Sequence, residues 1–438
     1  MVLPGDAPGG PEGLRYHVSH AARLPPAPGK ANQVMSTEAE PPAPTPCGAP
    51  ARAAGELRGR AAQVASVAAK HALAVDNASR FPSEAFKAVK AQRLLGIQVP
   101  TTLGGEGAGI GELADVCYQL GQACASTGMI FAMHQIKAAC IARHMGDNAT
   151  LQAMLRRVCA EQLLLASSTT EGQGGGNIRS SEAPIEYHAG GRITLERRAS
   201  VISYGAYADG IVTTARRAAD AAASDQVLVA FLTGDYTLSR LQGWDALGMR
   251  GTCSEGYTLK ASADAAQILP EPYETIHART MVPFAHLLWG SVWSGIAAGA
   301  VVRAQGFVRN ALRLSGQLPP GAPQCTRAVA SLRTLRGMLS TALERYAQCM
   351  NDPQALASLE FQTMITLVKV EASELAAATV MSAMRVCGLA GYRNDSEFSV
   401  GRHLRDVLSA PIMINNDRIL ASLAPSVLLS PVPSSLRD

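Results

Sequence analysis

Two neighbouring stretches decide how this chain is read: Arg385-Val386-Cys387-Gly388-Leu389-Ala390-Gly391-Tyr392 and, a few residues on, Phe398-Ser399-Val400-Gly401-Arg402-His403-Leu404-Arg405-Asp406. The first closes a long helical run with glycines, and the second opens another that carries an Arg-Asp pair. Outward from this turn, apolar residues recur at helical spacing over Trp289–Leu314, Ala328–Met350, Pro353–Val386 and Arg405–Leu423, with Pro319-Pro320-Gly321 ending the first of these. Four helices of such length joined by short connections predict an antiparallel four-helix bundle over residues 283–424.

Upstream, over residues 167–282, the texture changes. Ile193-Thr194-Leu195, Val201-Ile202-Ser203-Tyr204, Gly210–Thr214, Gln226–Leu232 and Tyr257-Thr258-Leu259 are short, β-rich and separated by Gly, Asp and Ser. No helices alternate with them, which argues against a doubly wound parallel sheet and predicts a small antiparallel barrel or sandwich. Residues 51–166 return to helical patterning, broken by Leu94-Leu95-Gly96-Ile97-Gln98-Val99-Pro100 and Gly104-Gly105-Glu106-Gly107. The fold class expected is therefore α+β, mainly α: an N-terminal helical domain, a middle β-barrel and a C-terminal four-helix bundle. Residues 1–50, rich in Pro, Gly and Ala, are expected to be disordered, and 425–438 to form a frayed tail. Met35 is a second candidate initiator.

Composition bounds the function. With 438 residues, 47% of them hydrophobic and 17% charged, two or three structural units are expected. A net charge of +4, from 39 basic and 35 acidic residues, argues against a general nucleic-acid binder. The sequence reading finds no signal-peptide core and no apolar run long enough to span a membrane. Nine cysteines, an odd number without CxxC spacing, are read as reduced core residues in a cytoplasmic protein, with no metal site.

Five stretches, in order, resemble the acyl-CoA dehydrogenase superfamily. Leu94–Pro100 with Gly104–Gly107 is similar to that family's "G-hydrophobic-x-x-P…GG-x-G" segment. Ala166–Asn177 resembles its flavin loop, with Thr170 and Glu171 matching and Gly176-Asn177 in place of Ser-Asp. Val201–Asp209 resembles "W-I-T-N-G-x-x-A-D", with Ser203 for Thr and Val201 for Trp. Gly248–Ser254 looks like a strand-entry marker, to which no chemistry is assigned. The opening Arg385–Asp406 string is similar to "Q-hydrophobic-x-G-G-x-G-Y…R-D", a turn that in the family packs on the flavin of a neighbouring subunit. The resemblance covers about Ala51 to Leu423. It implies FAD, a homotetramer or homodimer, and an acyl thioester of CoA or acyl carrier protein as substrate. The electron acceptor is left open. Thr170, Gly175, Gly176, Ser203, Arg313, Arg385, Gly388, Leu389 and Asn416 are the implied cofactor contacts, and His134, Gly176 and Ile414 the implied substrate contacts.

The family's α-proton base is a glutamate eight residues after the Arg-Asp pair. That position is Ile414. Asp417 lies three residues later, and His286 occupies a second place where some members carry the base. Three readings follow: dehydrogenation with Asp417 or His286 as base, a reduced-flavin and oxygen-dependent monooxygenase that needs no such base, or a non-redox binding subunit. In the oxygenase reading His134 is a candidate for stabilising an oxygen adduct.

Overall fold

The computed structural model describes residues 55–171, 179–429, 432, 434 and 435. The segment expected to be disordered, 1–50, and the flavin-loop residues Gly175 and Gly176 lie outside the described residues.

Among the described residues five α-helices come first: α1 (Glu56–Asn77), α2 (Ser83–Ala91), α3 (Ile110–Ala123), α4 (Ala125–His144) and α5 (Ala149–Glu161). Seven strands follow: β1 (Leu165–Ser168), β2 (Glu186–His188), β3 (Arg192–Ile202), β4 (Gly210–Arg216), β5 (Gln226–Leu232), β6 (Tyr236–Gln242) and β7 (Glu255–Asp264). The remainder is helical again: α6 (Tyr273–Ile276), α7 (Val282–Ser315), α8 (Ala322–Cys349), α9 (Pro353–Ala357), α10 (Leu359–Tyr392), α11 (Gly401–Val407), α12 (Ser409–Ile412) and α13 (Asn416–Leu429).

The helices from both ends of the chain share one hydrophobic core, running from Leu57 to Ala410. What joins them is a close crossing of α3 and α7. A Cβ added at Gly121 would lie 2.4 Å from the Val292 carbonyl oxygen, and one at Gly295 would lie 2.3 Å from that of Tyr118. Backbone meets backbone there, so any side chain larger than hydrogen forces the helices apart.

The β region departs from expectation. It is not a closed barrel but two separate sheets, ordered β1-β4-β5 and β2-β3-β7-β6. The second is antiparallel throughout, whereas β1 runs parallel to β4, with Leu165 opposite Gly210. The reason is connectivity. β1 leaves α5 directly from the helical layer, and its partner arrives some forty residues later, which frees the pair from hairpin geometry. A small apolar cluster, including Ile193, Val229 and Phe231, lies between the sheets' strands.

The bundle also differs from four continuous helices. α7, α8 and α10 are long, but the fourth position is filled by the short α11, α12 and α13. Pro411 stands within α12, and Asn415 begins the next helix by accepting the Arg418 N–H at 3.1 Å. In the break, Ile414 adopts φ 49°, a left-handed conformation that is costly for a β-branched residue.

The Arg-Asp pair that marks the opening motif acts as a dock. Asp406, fully buried, accepts the Met249 N–H at 2.7 Å, Arg405 pairs with Asp76, and a Cβ at Gly248 would lie 2.0 Å from the Arg405 carbonyl oxygen. The Gly248–Ser254 string is therefore the β region's seat on the bundle. One sequence reading needs correction: Tyr273–Ser315 and Leu359–Tyr392 are long and apolar enough to cross a membrane. The most apolar window of the first is 94% buried, so its side chains form the bundle core.

Helix propensity and packing make opposite predictions at one glycine and agree at another. Gly295→Ala should lose about 3 kcal/mol in chemical denaturation, against the gain of about 1 kcal/mol that alanine brings to a helix interior. Gly337→Ala, in α8 with nothing within 4 Å of the added Cβ, should show that gain. Equal effects at the two sites would contradict the α3–α7 contact.

Candidate active-site cavity

A cavity of about 310 Å³ opens where α4, β1, the start of α7, α10 and the α12–α13 break converge. Each element presents residues to it for a local reason. On α4, Met133, Ile136 and Lys137 are spaced i, i+3, i+4 and so share one helical face. On β1 and just beyond, Ser167 and Thr169 project to the same side by the two-residue repeat of a strand. His277–Met281 is a single π-helical turn between α6 and α7, and it brings both His277 and Met281 to the wall. Such insertions recur at functional sites because they re-aim side chains. α7 adds His286 and Trp289, α10 adds Gln362 and Thr366, and the break adds Ile414 and Arg418.

The break is braced from beneath. Lys369, fully buried on α10, donates to the Ile414 carbonyl at 2.9 Å and to Asn416 Oδ1 at 2.6 Å. Asn416 in turn donates to Ser373 Oγ at 2.9 Å and Glu374 Oε1 at 2.7 Å. This network offsets the strain at Ile414 and keeps its side chain on the cavity wall.

Among the described residues no aspartate or glutamate lines the cavity, whereas Lys137, Arg179 and Arg418 do. Lys137 is completely enclosed, and burial pushes its pKa down to about 8, with the nearby Arg197 acting in the same direction. Among the described residues its ammonium has one hydrogen-bond partner, Met281 Sδ at 3.7 Å. Burial, then Arg179, His286 and Lys137, hold His277 down to about 3. Burial also lowers His286 to about 4, partly offset by its bond to the Ile365 carbonyl. That bond, 3.0 Å from Nδ1, makes Nδ1 the donor and leaves Nε2 an unprotonated acceptor on a residue that lines the cavity. His277 Nε2 and Trp289 Nε1 are buried without a partner among the described residues.

The site residues anticipated from sequence are dispersed. His286 and Ile414 both line the cavity. Asp417 does not; it is exposed, because the capped start of α13 turns it outward. His134 does not either. Its Nε2 donates to the Leu95 carbonyl at 2.8 Å and its Nδ1 accepts the Leu165 N–H at 3.0 Å, so it staples α4 to the 94–95 turn and β1. Asn416 serves the brace. Ser203 bonds Ser254 at 2.8 Å within the β region, and Thr170, half-buried, follows Thr169 at the rim. Arg313, bonded to Asn310, is exposed on α7, and Arg385, Gly388 and Leu389 are exposed near the end of α10. Lys137 went unanticipated. The signal was present: it is the first formally charged residue of α4, and it stands on one face with Met133 and Ile136.

The cavity, its helical walls and the motif order define an acyl-CoA dehydrogenase fold, and residues 55–162 and 290–421 match the acyl-CoA dehydrogenase N-terminal and C-terminal domains. The chain belongs to the acyl-CoA dehydrogenase family. It is 26% identical to 3-sulfinopropanoyl-CoA desulfinase of Paraburkholderia xenovorans, over 84% of this chain and 94% of that protein. It is 24% identical to cyclohex-1-ene-1-carbonyl-CoA dehydrogenase of Geobacter metallireducens, over 83% and 94%. Among solved structures, FMN-bound TdsC from Paenibacillus sp. A11-2 superposes with a TM-score of 0.76 at 16% identity, covering 86% of this chain and 98% of that one; TdsC is a dibenzothiophene monooxygenase.

The enclosed histidines set an acid limit. For His286 the folded pKa, about 4, lies below the ordinary 6.5, so the folded state binds its proton less tightly than the unfolded chain. Its contribution to stability is complete above about pH 6.5 and is lost as pH falls toward 4. His286→Asn, which keeps a donor for Ile365, should lose less stability than wild type between pH 7.5 and pH 4.5, measured as the shift in urea midpoint. An unchanged shift would refute the assignment.

Proposed function

We propose that this protein is a flavin-dependent oxidoreductase that dehydrogenates an acyl thioester, with FAD as cofactor and CoA or an acyl carrier protein as the thioester's carrier. The observation that carries the reading is that positions 286 and 414, the two places where the family carries its base, line one cavity. The relatives named for CoA thioesters support the substrate class.

The residues present fit a flavin and its thioester. Trp289 Nε1–H and His277 Nε2 are enclosed polar atoms awaiting a partner, and the Ser167 and Thr169 hydroxyls stand on the same wall. A bound flavin supplies the acceptor for the substrate's β-hydrogen. The chain's own part is to orient the thioester, exclude water and take the α-proton. His286 Nε2 is the group proposed to take it, with Nδ1 held by Ile365 so that the ring presents a fixed acceptor. Burial keeps the ring neutral, the form that can accept a proton. Leu389 and Tyr392, 73% and 75% exposed on the opening turn, support the proposal that a second copy of the chain covers that turn.

A second reading is favoured by the lack of any carboxylate on the described cavity wall and by the likeness to TdsC: a monooxygenase using reduced flavin and oxygen, which needs no α-proton base. The absorbance spectrum separates the two. Dehydrogenation requires a yellow protein bleached anaerobically by an acyl-CoA. His286→Asn should then slow bleaching by about 10²–10⁴-fold with flavin retained, and Asp417→Asn should leave it within about twofold. Bleaching at the wild-type rate in His286→Asn removes His286 from the reaction, whereas substrate-dependent oxygen uptake only with added reduced flavin supports the monooxygenase.

A further inference from the structure

The cavity contains a charge that no described residue neutralises. Lys137 is 3% exposed, and among the described residues its ammonium has a single hydrogen-bond partner, the thioether of Met281. Buried ammonium groups are ordinarily paired with carboxylates, since removal from water without a partner is expensive. Glu171, which reaches the neighbouring Arg197, is already engaged: it lies 3.5 Å from the Arg197 guanidinium and accepts the Glu182 and Ala183 N–H groups at 2.6 and 3.3 Å. Among the described residues, the other formally charged side chains on the cavity wall are of the same sign. Arg179 and Arg418 share its cavity, and Arg197 is close enough to disfavour its proton. Nε2 of His277, on the adjoining π turn, and the Trp289 N–H are without a partner among the described residues.

A thioester with a plain hydrocarbon acyl chain would leave this ammonium desolvated and alone. We propose that the acyl group itself carries a second, anionic end, a carboxylate or an oxyanion of similar size, which pairs with Lys137 inside the cavity. The inference deepens the thioester reading above and names its substrate class: an acyl-CoA whose acyl group bears its own negative charge. The hydrocarbon part lies against Met133, Ile136 and Ile414, and the pairing fixes how deep the chain enters, and so which carbon meets the reacting groups.

The test compares glutaryl-CoA with valeryl-CoA, equal in chain length, and free glutarate with free valerate, on wild type and on Lys137→Met. Methionine keeps most of the side chain's length, one atom short, and removes its charge. Wild type should bind glutaryl-CoA at least about 100-fold more tightly than valeryl-CoA, and Lys137→Met should erase that ratio by weakening the charged ligand alone. Free glutarate should raise the melting temperature of wild type and not of the variant. Without ligand, Lys137→Met should melt higher than wild type, because an unpaired buried charge has gone. Equal binding of the two thioesters by wild type, an equal loss of both in the variant, or a lower melting temperature for the unliganded variant would each overturn the proposal. If neither thioester binds but glutarate stabilises wild type alone, the anion site stands and the thioester reading fails. If neither thioester binds and glutarate stabilises nothing, both fall.

Discussion

The crossing of α3 and α7 is the constraint on which the architecture rests. Gly121 and Gly295 let two backbones touch, and this contact turns helices from opposite ends of the chain into one body. Leu113, Val116 and Leu120 can then share a core with Leu288, Val292 and Ile296. The β region is attached afterwards, by Asp406 receiving the Met249 amide and by Gly248 lying flush on the Arg405 carbonyl. The cavity is what remains at the edge of that assembly, where α4, β1 and the broken fourth helix cannot close on one another.

The chemistry of the cavity follows from the same enclosure. Removing water from a basic set of side chains leaves two histidines neutral and makes the lysine's charge costly. An ordinary protein interior would answer that cost with an acid, and this wall offers none among its described residues. The strained backbone at Ile414 belongs to the same picture. A lysine from α10 is committed to holding one carbonyl in place, which is a large investment in the exact placing of an apolar side chain.

Much of this was legible in the sequence, and the failures have physical causes. The helical, β, helical order emerged from periodicity and glycine placement, and the opening Arg385–Asp406 string carried the family. The two unclosed sheets were not legible, because the parallel pairing of Leu165 with Gly210 leaves no local signature, whereas hairpins do. The interruption of the fourth helix was signalled by Pro411 and by Asn415-Asn416-Asp417, but the apolar period continues through both and masks it. At the site, His134 drew attention as the conspicuous polar residue of α4, yet its ring nitrogens serve the backbone. The residue one turn further on, Lys137, faces the empty space. Sequence shows that both interrupt an apolar helix; only the neighbours determine which one is satisfied.

The long separation between Gly121 and Gly295 has a consequence for how the molecule comes into being. The ribosome releases α1 to α5 well before α7, so their shared apolar faces must wait for more than a hundred further residues before the central post arrives. Contacts so distant in sequence make folding slow and leave sticky surfaces open in the meantime. Nascent chains of this protein are therefore natural clients for a chaperone until the α7 segment has left the exit tunnel, and fragments ending in the β region should aggregate when they are made alone.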